Sequence, residues 1–151
     1  MKKLALILLI VFAEIYTADA QIRVPRSAVP QQVQKTLMDS TNKATMKNAW
    51  YSLADEDYVA AYDYTVFRFT YEGKFVYKLK FMEYTSLPDT VYQDFKMKYD
   101  EQYPYDSSWD AYFADGHKEY WILANKKKSK AQYYFKYTID GELIAKTETN
   151  R

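Results

Sequence analysis

The sequence predicts an α+β fold of two tandem repeats, each a helix followed by an antiparallel sheet. The helices are expected on one face of the sheet, with the other face open. Three observations carry this. Residues 67–76 read FRFTYEGKFV and residues 135–144 read FKYTIDGELI, with Phe, Thr and Gly at matching positions, so one piece of structure is written twice. A proline-led apolar stripe at helical spacing precedes each copy. Residues of alternating character follow each stripe, as in strands with one face on a core.

The repeat extends outward from these segments. Val29-Pro30 followed by Val33 matches Leu87-Pro88 followed by Val91; Trp50 matches Trp109, Tyr58 matches Tyr120, and Gly73 matches Gly141. The offset grows from about 58 to about 68 residues, as loop insertions in the second copy produce. The expected organisation is a signal peptide over 1–20 and a single domain over 21–151, with repeat one at 21–85 and repeat two at 86–151.

The signal peptide rests on Lys2 and Lys3, an apolar run from Leu4 to Phe12, and a small-x-small site at Ala18-Asp19-Ala20. The apolar run of about nine residues is far short of the roughly 20 that a spanning helix needs. The first helix is expected from Val29 to Met46, with Val33, Leu37 and Ala44 near one face. Strands are expected at Ala49–Leu53, Tyr58–Tyr64, Val66–Thr70 and Phe75–Tyr84. In the second copy Ser86 reads as an N-cap, Asp89 suits the positive helix start, and Val91, Phe95 and Tyr99 make the apolar stripe. Tyr103-Pro104 ends that helix, because proline disfavours helix in the residue before it. Strands follow at Asp110–Ala114, Lys118–Ala124, Ala131–Thr138 and Glu142–Glu148. Asp115-Gly116 and the NKKKSK segment at 125–130 read as turns.

The repeated turn sets a register. A three-residue loop, Tyr71-Glu72-Gly73, pairs Phe69 with Phe75 and keeps the aromatic residues on one side, whereas a two-residue loop mixes aromatic and basic rows. The same choice pairs Tyr137 with Leu143 and Phe135 with Ala145. Gly73 and Gly141 are therefore expected at positive φ. Phe67, Phe69, Phe75, Tyr77, Leu79 and Phe81 form the predicted core face. Arg68, Thr70, Lys74, Val76, Lys78 and Lys80 form the predicted open face.

Composition narrows the function. With 21 basic and 20 acidic residues the charge is nearly balanced, which argues against nucleic acid as a partner, since phosphate binding needs a basic excess. The chain has no cysteine, so there is no disulfide framework and no lipoprotein anchor residue. Seventeen tyrosines beside three glycines suit strands and half-wet surfaces.

No GxSxG, Walker or HExxH pattern occurs. The only histidine, His117, sits by the Asp115-Gly116 turn and reads as a solvated residue. Asp55, Glu56 and Asp57 read as turn acids without calcium-loop spacing. No catalytic residue, metal or cofactor is expected.

Val29-Pro30…Val33, Ala49-Trp50, Tyr58-Val59-Ala60 and the segment Phe69 to Val76 carry a resemblance, with Leu87-Pro88…Val91, Tyr103-Pro104, Trp109 and the segment Tyr137 to Ile144 in the second copy. The chain resembles the PepSY-like family, whose fold is shared with beta-lactamase-inhibitory protein. Glu72 departs from the commoner Asp, and Ala28 stands where the second copy has Ser86. The resemblance implies an exported bacterial protein that binds other proteins, with peptidases or envelope enzymes as candidate partners. It carries over no inhibitory residue.

The expected function is that of an exported, non-enzymatic binding module, an inhibitor or modulator acting through the open face and loops. Arg68, Lys78 and Lys80, with Tyr62 and Trp121 as neighbours, are the candidate binding residues. The alternative is a small-molecule, peptide or glycan binder using surface tyrosines; a hydrolase is the remote alternative. The partner is expected to be a protein of the cell envelope or outside the cell. No membrane insertion is expected after signal cleavage, and localisation is periplasmic or secreted. The sequence assigns no oligomeric state.

Overall fold

In the computed structural model, described over residues 22–40, 50–54 and 57–149, the chain divides into two units at Leu79 and Lys80. The first holds β1 (Ile22–Val24), helix α1 (Gln31–Ser40), β2 (Trp50–Ala54), β3 (Asp57–Tyr62), β4 (Thr65–Phe69) and the first part of β5 (Phe75–Met82). The second holds the end of β5, helix α2 (Asp89–Lys98), β6 (Tyr105–Phe113), β7 (Lys118–Asn125), β8 (Gln132–Thr138) and β9 (Leu143–Thr149). The fold is α+β, and in each unit the strands neighbour one another in sequence order. The pairs β1–β2, β2–β3, β3–β4, β6–β7, β7–β8 and β8–β9 are antiparallel. The expected signal peptide, and the expected helix beyond Ser40 with Ala44, lie outside the described residues.

Both helices are entered in the same way. A 3-10 turn at Arg26–Ala28 precedes Val29-Pro30 and α1, and another at Tyr84–Ser86 precedes Leu87-Pro88 and α2. The Ser86 N–H donates to the Glu83 carbonyl (2.9 Å), as that of Ala28 donates to Pro25 (2.9 Å). Ser86 therefore ends a turn and does not cap α2. Pro88 occupies the cap position without a side-chain cap bond, and the residue before a proline is held extended. Alanine can stand at position 28 because the turn asks only for backbone bonds. Asp89 begins α2 and Lys96 and Lys98 close it, matching the helix dipole. The helix ends at Lys98, earlier than the Tyr103-Pro104 stop, with Tyr99 as its C-cap donating to Phe95 (2.9 Å).

Each helix lays its stripe on one face of its own strands. In the first unit Val29, Val33 and Leu37 pack with Tyr58, Ala60, Phe67 and Phe69. In the second, Leu87, Val91 and Phe95 pack with Tyr103, Ile122, Ala124, Phe135 and Tyr137. Burying each such aliphatic or aromatic side chain contributes about 1.5–3 kcal/mol.

The chain's three glycines close three turns of one design. Thr70, Phe113 and Thr138 each donate N–H to the carbonyl four residues on (2.8, 3.0 and 2.9 Å). Gly73, Gly116 and Gly141 each donate back to those residues (2.9, 3.1 and 3.1 Å). Their φ values are +85°, +90° and +90°, the left-handed region that the glycine bulge demands. Asp115-Gly116 thus belongs to a three-residue loop.

At Gly73 and Gly141 a second constraint acts. An added Cβ at Gly73 meets Gln32 Cγ at 2.9 Å and Val33 N at 3.0 Å, and at Gly141 it meets Thr90 Cβ and Oγ1 at 2.6 Å. Each turn is seated on the first turn of its helix.

The predicted register holds next to the second turn, where Tyr137 faces Leu143, and then slips. Lys136 faces Ala145 and Phe135 faces Lys146, not Ala145, because Ile144 is bulged out of the ladder. Ile144 is 52% exposed, and the slip turns Lys146 onto the helix side. Phe81 is another correction. It meets Trp109 edge-on at 5.5 Å. Trp109 pairs with Trp121 on the face away from α2, and Met82 turns toward the helix-side cluster instead. β6 also starts at Tyr105, earlier than the expected Asp110, and β1 was not foreseen.

Candidate functional site

The face away from α1 carries Arg68 where the hairpin register places it, opposite Val59. Its guanidinium Nε donates to Asp57 Oδ2 at 2.7 Å, with both side chains 22% exposed. Asp57 is a strand residue that orients Arg68, not the turn acid that its neighbours suggested. Lys78 is half-buried and Lys80 exposed; alternation along β5 puts Lys80 on the side of Met82, which packs with the α2 cluster, and not on the face away from the helix where the sequence placed it. Around Arg68 the face is more apolar than expected, since Val59, Ala61 and Val66 are buried. Tyr62 is misplaced in the predicted set, because alternation along β3 puts it with Tyr58 and Ala60 on the α1 side.

In the second unit Trp121 lies on the face away from α2 but is only 6% exposed. Phe113 and Tyr134 pack against it at 6.2 and 5.7 Å, and Lys136 Nζ lies 4.0 Å from its ring centroid. Its Nε1 donates to Glu119 Oε2 at 2.6 Å. Burial pulls the Lys136 ammonium below its ordinary range, against the opposing charge of Glu119, and its Nζ sits over the indole face. The ring is packed within the unit and contributes little surface.

His117 is more engaged than a solvated turn residue. Its Nδ1 is 2.5 Å from Asp115 Oδ1 and its Nε2 is 3.3 Å from Glu119 Oε1. The ring stacks on Phe113 at 3.9 Å. The hydrogen bond to Asp115, then the charges of Asp115 and Glu119, raise its pKa above 6.5. A raised folded-state pKa contributes stability that is fully present below the unfolded value and is lost as pH rises through the folded value. NMR titration of the His117 ring is expected to give a midpoint above 6.5. Asp115→Asn is expected to move the midpoint down; an unchanged midpoint would refute the pairing.

The hairpin between β3 and β4 was not legible as a turn. Tyr62 pairs with Thr65, leaving Asp63 and Tyr64 as a two-residue loop with φ of +43° and +60°. A turn with both central residues at positive φ normally takes Asn-Gly or Asp-Gly. Here a tyrosine stands where glycine is favoured, 43% exposed, and a bulky residue in that region is a real outlier.

Among the described residues no group of three or more His, Asp or Glu side chains is placed to hold a metal ion. No helix among them is long and apolar enough to cross a membrane.

No protein-family model matches this sequence, and no curated protein matches it. Solved structures do match by shape. A DUF2874 family protein from Bacteroides ovatus superposes with a TM-score of 0.67 at 20% identity, covering 79% of this chain and 86% of the other. A Bacteroides eggerthii protein, assigned to the periplasm by name only, gives 0.68 at 18% identity over 80% and 88%. A BLIP-like protein from Bacteroides fragilis gives 0.64 at 13% identity over 85% and 90%. At these identities the likeness is one of architecture, and this chain has an α+β fold of the BLIP-like kind.

Proposed function

We propose that this chain is an exported, non-enzymatic module that binds a protein of the cell envelope or the extracellular space, and that it belongs with the PepSY-like proteins its motifs resemble. The observation that carries the reading is the Asp63–Tyr64 tip. Holding a non-glycine residue in the left-handed region costs about 1–2 kcal/mol each, and such strain persists where a function uses it. An exposed tyrosine on a rigid two-residue turn is an ordering-free aromatic anchor, the residue type enriched at binding hot spots. The Arg68–Asp57 pair and Lys78 supply charge on the same unit. The BLIP-like fold and the periplasmic naming of one structural neighbour support an exported binder, with the signal-like N-terminus as the route.

Tyr64→Gly separates strain from use. It is expected to raise stability by about 1 kcal/mol, by relieving the turn, and to lower affinity for a captured envelope protein at least tenfold. Pulldown from envelope extract, followed by calorimetry with the purified partner, reads both. Affinity unchanged in a stabilised variant would remove the tip from the interface. Saturable tryptophan fluorescence shifts with a glycan panel, with no protein captured, would sink the protein-binding reading.

A further inference from the structure

The register slip at Ile144 has a chemical consequence in the second unit. It sets Lys146 opposite Phe135, and the ammonium falls among four rings. Its Nζ lies 3.8 Å from the Tyr103 centroid, 5.2 Å from Tyr133, 5.5 Å from Phe135 and 6.0 Å from Tyr99. It also donates to the Tyr103 hydroxyl at 2.6 Å. The rings come from different elements, and the backbone positions that carry them are held without the lysine. Tyr99 caps α2, and the Tyr103 N–H donates to its carbonyl at 2.8 Å. Phe135 and Tyr133 are on β8, and Phe95 and Phe135 meet edge-on at 5.1 Å. Glu148 accepts from the Tyr133 hydroxyl at 2.7 Å, putting a carboxylate at the rim. A second cation, Lys126 Nζ, sits 5.9 Å from the Tyr133 centroid.

We propose that Tyr99, Tyr103, Tyr133 and Phe135 form a binding cage for a substituted ammonium group, filled in this state by the chain's own Lys146. Convergent aromatic faces bind cations through the ring quadrupole, most strongly when the cation is desolvated. A primary ammonium is compact and strongly hydrated, so it is a weak occupant. A quaternary ammonium sheds its water more readily and matches a cage of ring faces better. Lys146 holds its place because it is tethered, at an effective concentration in the millimolar range. It lies on β9, which ends the strand order and pairs with β8 alone among the described strands, so its side chain can leave without unpacking the core. The cage is separate from the Asp63–Tyr64 tip, and neither proposal depends on the other.

Lys146→Ala empties the cage. Tetramethylammonium chloride is expected to give that variant a saturable change in tyrosine fluorescence with an apparent affinity at least tenfold above wild type, against sodium chloride at equal ionic strength. Adding Tyr103→Leu should abolish it. Absence of saturation in folded Lys146→Ala, or equal affinity in wild type, would overturn the cage. Should the variant fail to fold, the wild-type chain still decides. The Lys146 ε-methylene NMR signals, shifted upfield by the rings, should move toward free-lysine values on adding tetramethylammonium. If they stay in place, the proposal fails.

Discussion

Gly141→Ala is expected to destabilise the protein by about 2–5 kcal/mol, against about 1–2 kcal/mol for Gly116→Ala. The two glycines have the same φ of +90° and close turns of the same hydrogen-bonding pattern, so the backbone cost of a left-handed alanine is common to both. What differs is the space around them. An added Cβ at Gly116 meets nothing within 4 Å, while at Gly141 it meets Thr90 Cβ and Oγ1 at 2.6 Å. Thr90 is in the first turn of α2, held by backbone bonds, so relief requires the hairpin to lift from the helix. Gly73→Ala should resemble Gly141→Ala, because Val33 N at 3.0 Å is backbone of α1 and cannot move alone. Urea denaturation of the three single variants reads the series. Equal losses at all three positions would show that φ alone matters and that the seat on the helix does not.

That shared seat explains why the duplication was legible. A glycine turn must fit both its own hairpin and a helix start, so Thr, Gly and the flanking alternation recur in both copies. The features that escaped lack such a double constraint. Asp63-Tyr64 contains no glycine, so nothing in the string marks a positive-φ turn. The bulge at Ile144 leaves no glycine or other mark in the string.

The burial of Val59, Ala61 and Val66 has a signal in the sequence. Tyr58 to Tyr62 reads YVAAY without a polar residue, and a strand that is apolar on both parities is buried on both faces. Trp121 to Ala124, WILA, says the same, and all four residues are buried. Arg68 thus sits among apolar side chains that fill most of the face around it. Of the candidate residues, Arg68 lies away from α1 as the register assigns, Tyr62 falls on the α1 side, and Trp121 is buried on the face of its own unit away from α2.

Phe135→Ala is expected to cost about 3–5 kcal/mol, up to roughly half or more of the stability of a typical domain. Its repeat equivalent, Phe67→Ala, is expected to cost less. Both rings are buried and both lie under a helix, so the lost transfer free energy is similar. The surroundings are not. Phe67 stacks near Phe69 at 6.5 Å. Phe135 touches Phe95 at 5.1 Å, Tyr99 at 4.8 Å and Tyr103 at 5.3 Å, and lies 5.5 Å beneath Lys146. Each aromatic pair adds about 0.5–1.5 kcal/mol beyond its buried area. Deleting Phe135 also leaves a cavity walled by rings from α2, its cap and β8, which cannot close in together. Chemical denaturation of the two variants, followed by tyrosine and tryptophan signals, should rank Phe135→Ala below Phe67→Ala by at least about 1 kcal/mol. The opposite ranking would mean that repeat position, and not ring environment, sets what each core contributes.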